Sequence, residues 1–198
     1  MWFIVSTTFL QPLSTSKSIL IEPDTVRLYA SVIHSSATVT SNTIQFGSGT
    51  TNGEQLLRVP VAAPGELDSQ AVIRVTVSMN PPVADNDPAI GIASNDGSKR
   101  NQFWLVEHGT TTSTVNPCEI VNGSHNGRTA THGDLVAGTY VMLFHPHRRF
   151  GSCSTNTGFA TAGNFNTFIN PSQGLSLVVN RDNSFERYTF HYFLVEVL

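Results

Sequence analysis

The chain has 198 residues and a formal net charge of −3, and its 11 Lys and Arg residues are scattered. This length suits one domain with a large core; dispersed cations argue against a nucleic-acid partner, and no apolar run reaches the ~18–20 residues of a membrane helix. Charged residues make up 13% of the chain, about half the usual share, while 57 Ser, Thr and Asn residues supply the polarity, as in β-rich extracellular proteins.

The N-terminal MWFIVSTTFLQPLSTS lacks the positive n-region of a secretion signal, and its unbroken apolar run spans only Trp2–Val5. It reads as a strand or a docking extension over 1–16. Period-2 alternation then recurs along the chain, and no window carries a capped 3.6-residue period. Expected strands in order are SILIE (18–22), VRLYASVIH (26–34), TIQF (43–46) and QLLRVPVA (55–62). The polar SSATVTSNT (35–43) reads as a loop or an edge strand. The clearest alternation is AVIRVTVSM (71–79), with Ile73, Val75, Val77 and Met79 on one face and Arg74, Thr76 and Ser78 on the other.

AIGIA (89–93), QFWLVE (102–107), CEIV (118–121), TYVMLFH (139–145) and LSLVVN (175–180) follow. The last strand, RYTFHYFLVEV (187–197), is apolar on both faces over much of its length, which marks a central strand. Pro-Pro, Asn-Asp and Asn-Gly pairs punctuate these runs. The expected fold is all-β: one two-sheet antiparallel jelly-roll sandwich over 1–198. Cys118 and Cys153 are the only cysteines, and an isolated pair in such a chain is expected to form one disulfide, which would imply an oxidising compartment. Asn122-Gly123-Ser124, inside that loop, is the only glycosylation sequon.

AVIRVTVSM, DPAIGIASNDG and NQFWLVEHG place a core strand, a Gly-containing strand, an Asn-Asp-Gly turn and an aromatic strand in series. With the closing GLSLVVNRDNSFERYTFHYFLVEVL, this series resembles the concanavalin A-like or laminin G-type sandwiches. The resemblance covers a third to a half of the chain. It implies glycan binding or adhesion, in some members with calcium and in some branches with glycoside cleavage.

The segment VADNDPAIGIASNDG (83–97) holds Asp85, Asn86, Asp87, Asn95 and Asp96. Their oxygens suit calcium or sugar hydroxyls, and Asp85 and Asp87, two apart, suit one ion. The EF-hand pattern fails, since Ala89 and Ile90 stand where a ligand and a glycine are required. Turn chemistry explains the same residues: Asp-Pro opens a turn, and Asn-Asp-Gly supplies the positive φ of a hairpin.

In HPHRRF (145–150), His145 and His147 would share a face if the stretch stayed extended, but a zinc site needs further ligands. Arg148 and Arg149 suit a carboxylated or sulfated sugar, against a plain polar strand end. Trp104 is a sugar platform or a core residue. Glu66-Leu67-Asp68-Ser69-Gln70 carries two carboxylates of a glycosidase pattern but ends on Gln70, and a neutral amide does not replace the nucleophile.

The sequence thus describes a secreted, non-catalytic, lectin-like module. Its ligand would be a glycan or a glycosylated surface, held by Asp85, Asn86, Asp87, Asn95, Asp96, Trp104, Arg148 and Arg149, with Ca2+ as the one candidate cofactor. The rival is a structural protein that self-associates into an oligomer, shell or fibre through strand edges.

Overall fold

The computed structural model describes residues 17–21, 37–39, 44–46, 55–79, 89–108, 112–122, 124–127, 138–155, 160–180 and 188–198. They form two antiparallel sheets that pack face to face as a jelly-roll sandwich. Sheet A runs β12 (Ala160–Asn164), β11 (Phe150–Thr155), β10 (Gly138–His145), β5 (Ile73–Met79), β14 (Tyr188–Val197), β3 (Ile44–Phe46) and β2 (Ala37–Val39). The remaining strand of this sheet, β1 (Lys17–Ile21), also pairs with β14. Sheet B runs β4 (Gln55–Ala62), β13 (Leu175–Asn180), β6 (Ala89–Ser94), β7 (Lys99–His108), β8 (Thr112–Val121) and β9 (Ser124–Gly127). No described helix is long and apolar enough to cross a membrane.

Alternation in the sequence becomes alternation in burial. On β5, Ile73, Val75 and Val77 are fully buried, while Arg74, Thr76 and Ser78 are half-buried on the outer face. Tyr140, Met142 and Phe144 of β10 extend this inner layer. Leu57, Val59 and Val61 of β4, Ile92 of β6 and Leu175, Leu177 and Val179 of β13 face it from sheet B. Full burial of each large side chain contributes about 1.5–3 kcal/mol. The last strand is central, as its composition predicts: β14 has β5 on one side and β1 and β3 on the other.

The cysteine expectation is corrected. Cys153 is a free, fully buried thiol in the core, not half of a bridge to Cys118. Burial pushes this thiol well above its ordinary pKa, since the thiolate would lose its hydration. Cys118 belongs to the other sheet, opposite Gln102 and Gly127. The two-sheet separation was invisible in a count of cysteines.

The strand register gathers several connections at one end of the sandwich. Ile73 pairs with Phe144 and Val197, and His145 with Phe150. In sheet B, Leu175 pairs with Ala62 and Ser94, and Lys99 with Val121. The turns at 63–72, 95–98, 146–149 and 165–174 therefore share this rim. Two of them, 63–72 and 165–174, carry the chain from one sheet to the other.

Candidate functional site

A cleft of about 320 Å³ opens on this rim. One wall is the β6–β7 turn, with Ser94, Asn95, Asp96, Ser98 and Lys99; the other is the crossover from Phe168 to Gly174. Each wall is built by a few hydrogen bonds.

The turn is organised by Asp96. Its Oδ1 accepts from Ser94 Oγ (2.6 Å), Ser98 N (3.0 Å) and Ser98 Oγ (2.8 Å). Three donors on one oxygen favour the ionised form, and they hold the carboxyl down at about 2, the Ser94 hydroxyl contributing most. Gly97 supplies the positive φ of 73° that the tight turn needs. Arg58 braces the turn from β4, donating through Nη1 to the Asp96 carbonyl at 2.9 Å. The sequence pattern of Asn-Asp-Gly is thus realised as a turn, and the same turn lines a cleft.

The opposite wall is held from beneath. Glu119 of β8 is 1% exposed, and its carboxylate accepts from Asn166 N (2.6 Å), Thr167 N (2.8 Å) and Thr167 Oγ1 (2.6 Å). Asn101 of β7 donates through Nδ2 to the Thr167 carbonyl at 2.9 Å. Phe165 and Ile169 are buried. With Thr167 tied down between them, the next residue is left outward: Phe168 is 36% exposed, the large aromatic on this rim. Beyond it, Asn170 caps a short 3-10 turn, its Oδ1 accepting from Ser172 N and Ser172 Oγ. Gly174, at φ 93°, lets the chain pass Asn95 closely; a Cβ there would lie 3.1 Å from the Asn95 side chain.

Arg149 reaches this wall from sheet A. Its backbone is left-handed (φ 52°), its carbonyl accepts from Phe165 N at 2.6 Å, and its guanidinium lies 6.0 Å from the Phe168 ring centre. That is the outer limit of a cation–π contact. Below, Phe103 of sheet B, Phe144 of sheet A and Phe165 of the crossover meet with ring centres 5.6–6.2 Å apart. This aromatic trio ties the crossover wall to both sheets.

The residues singled out in the sequence divide accordingly. Asn95 and Asp96 line the cleft, and Arg149 stands against its aromatic. Arg148 is exposed on the same short turn as Arg149 and does not line the cleft. Trp104 lies on β7 opposite Ala89 and Asn116, five residues and about 17 Å along the strand from Lys99. Asp85, Asn86 and Asp87, and the candidate strand VRLYASVIH, lie outside the described residues, as do residues 1–16. Asn122 is exposed at the turn between β8 and β9, with φ 49°.

The extended face proposed for His145 and His147 is not formed: Pro146–Arg148 is a 3-10 turn, and His147 is exposed. His145 has its pKa lowered, chiefly by burial and then by the Arg148 charge. Among the described residues no three His, Cys, Asp or Glu side chains come together as a metal site. Glu66 and Asp68 fasten turns, accepting from Ala63 N at 2.8 Å and Gln70 N at 2.6 Å. Phe168, Asn170, Gln173 and Lys99 were missed. Phe168 follows an alternation in FNTFIN that resembles a strand, though the segment pairs with none.

The sequence matches no protein-family profile and no curated protein. Solved structures match in fold. Peanut lectin is 8% identical over 93% of this chain and 98% of its own, with a TM-score of 0.50. The CBM2 module of the evolved Dit of Lactobacillus casei BL23 phage J-1 is 6% identical over 81% of this chain and 78% of its own, also at 0.50. A xylan beta-1,4-xylosidase from Bacillus halodurans C-125 is 8% identical over 78% of this chain, with a TM-score of 0.50, and the chain spans only 32% of that enzyme. What these structures share with this chain is the jelly-roll β-sandwich fold.

Proposed function

We propose that the protein is a glycan-binding module that uses the rim cleft. The observation that carries this reading is the exposed Phe168 ring sharing one cleft with Asn95, Asp96, Asn170 and Gln173. An aromatic face accepts the apolar side of a pyranose, and amides and a carboxylate bond its hydroxyls. The lectin and carbohydrate-binding neighbours support the same reading at the level of fold. The role is binding rather than hydrolysis. Among the described residues of the lining Asp96 is the one carboxylate, and most glycosidase families use a pair. Ionised at any ordinary pH, Asp96 is also unsuited to donate a proton.

The setting proposed is extracellular, as an adhesion or attachment module, where the low charge and the exposed Asn122 sequon fit. A calcium site would fall to Asp85 and Asp87.

The test is calorimetric titration with an oligosaccharide panel, with and without chelator, against the Phe168→Ala variant. Loss of the stacking face lowers affinity at least about tenfold and leaves the unfolding midpoint within a few degrees. Equal binding by wild type and variant removes the cleft from the account. Binding lost only with chelator assigns the ion.

A further inference from the structure

The cleft is polarised. The chain carries a net charge of −3, yet cations gather at this rim. Lys99 lines the turn wall, Arg149 stands against Phe168 on the other wall, and Arg58 reaches the Asp96 carbonyl. Lys99 and Arg149 have no carboxylate partner among the described residues; the Arg74–Glu196 ion pair lies away from them, on the outer face of sheet A. The described acids at this end already accept hydrogen bonds, Asp68 among them from Gln70 N. Glu66 holds the Ala63 N–H, and Glu119 is buried on the crossover backbone. Asp96 keeps its charge, but three donors converge on one of its oxygens.

From this placement, and resting on the glycan-binding reading above, we infer that the cleft selects acidic saccharides: the sugar ring lies on Phe168 while its carboxylate or sulfate is paired by Arg149 and Lys99. Guanidinium presents a flat fork of donors that matches either anion, and Arg149 holds it beside the Phe168 ring. Lys99 adds a compact point charge from the other wall. Two cations on separate turns discriminate by where the acid sits on the sugar, beyond attracting charge in general.

The test uses matched ligands: an oligogalacturonate, its methyl ester, and a heparin-derived sulfated oligosaccharide. The expected result is at least about tenfold tighter binding of an acidic oligosaccharide than of the ester, with the advantage shrinking as salt is raised. The acid and sulfate arms say which anion fits. Lys99→Gln and Arg149→Gln each reduce the advantage, and the double variant abolishes it, read as the ratio of acid to ester affinity. Both side chains are exposed, so the variants keep the fold, which circular dichroism verifies. Equal affinity for acids and ester overturns the inference and leaves the glycan reading standing. An acid preference surviving in the double variant overturns the assignment of these residues. Absence of binding to all three overturns both readings.

Discussion

Asp96 serves two ends. Its carboxylate closes the β6–β7 turn, and its position puts that turn in the cleft wall. The turn's dependence on ionisation has a definite sign. The group's pKa is depressed in the folded protein, from 3.8 to about 2. Its contribution is therefore complete above the unfolded value and drains away as pH falls from about 4 towards 2. An Asp96→Asn variant is expected to be less stable than wild type by a constant margin between about pH 5 and 8. That margin should close below pH 4, as read from urea midpoints at each pH. A margin independent of acid would show that the hydroxyl bonds do not discriminate between the charged and neutral forms. Asn95, Asp96 and Arg149 were legible as single residues because their chemistry is polar and exposed. Phe168 was not: an aromatic beside Ile169 reads as core, and Glu119 and Asn101, far earlier in the chain, hold Thr167 inward and so leave Phe168 outward.

At the scale of elements, local pattern performed well wherever one face is buried. QLLRVPVA and LSLVVN coincide with β4 and β13, and TYVMLFH lies within β10. SSATVTSNT yields the edge strand β2. Strands β11 and β12 were not anticipated, because FGSCST and ATAGN carry little apolar alternation and owe their conformation to neighbours. The crossover 165–174 is the element on which the site depends, and it has no ladder of its own. Its order comes from Glu119, Asn101 and the aromatic trio. Replacing Glu119 by Ala strands two backbone N–H groups and a hydroxyl against a void. The expected cost is about 2–4 kcal/mol in chemical denaturation. Glycan affinity should fall in the same variant although Glu119 lines no part of the cleft. Unchanged affinity would mean that the crossover holds its shape without it.

The whole molecule was readable as a sandwich, but which loops meet at which rim was not, since that follows from register between strands far apart in sequence. Glycine placement also belongs to this scale. A Cβ at Gly91 would come within 2.2 Å of the Asn101 carbonyl, so at this one position β7 comes too close for any side chain on β6. Self-assembly through sheet edges is opposed on one flank. Edge strand β4 carries the exposed Pro60, which has no N–H to offer a neighbour, and its register with β13 is interrupted twice. The expected solution state is a monomer across a hundredfold dilution, checked by sedimentation velocity. Reversible growth with concentration would favour the structural reading.

The cleft lies where the two leaves are joined. Its turn wall belongs to sheet B, its aromatic wall is the strap passing between the sheets, and Arg149 leans in from sheet A. A ligand seated there would touch sheet B and the strap together, with Arg149 of sheet A beside it, so prising the strap from sheet B at that end would first require evicting the guest. In the glycan-binding reading, occupancy would act as a latch whose grip strengthens with the affinity of what it holds.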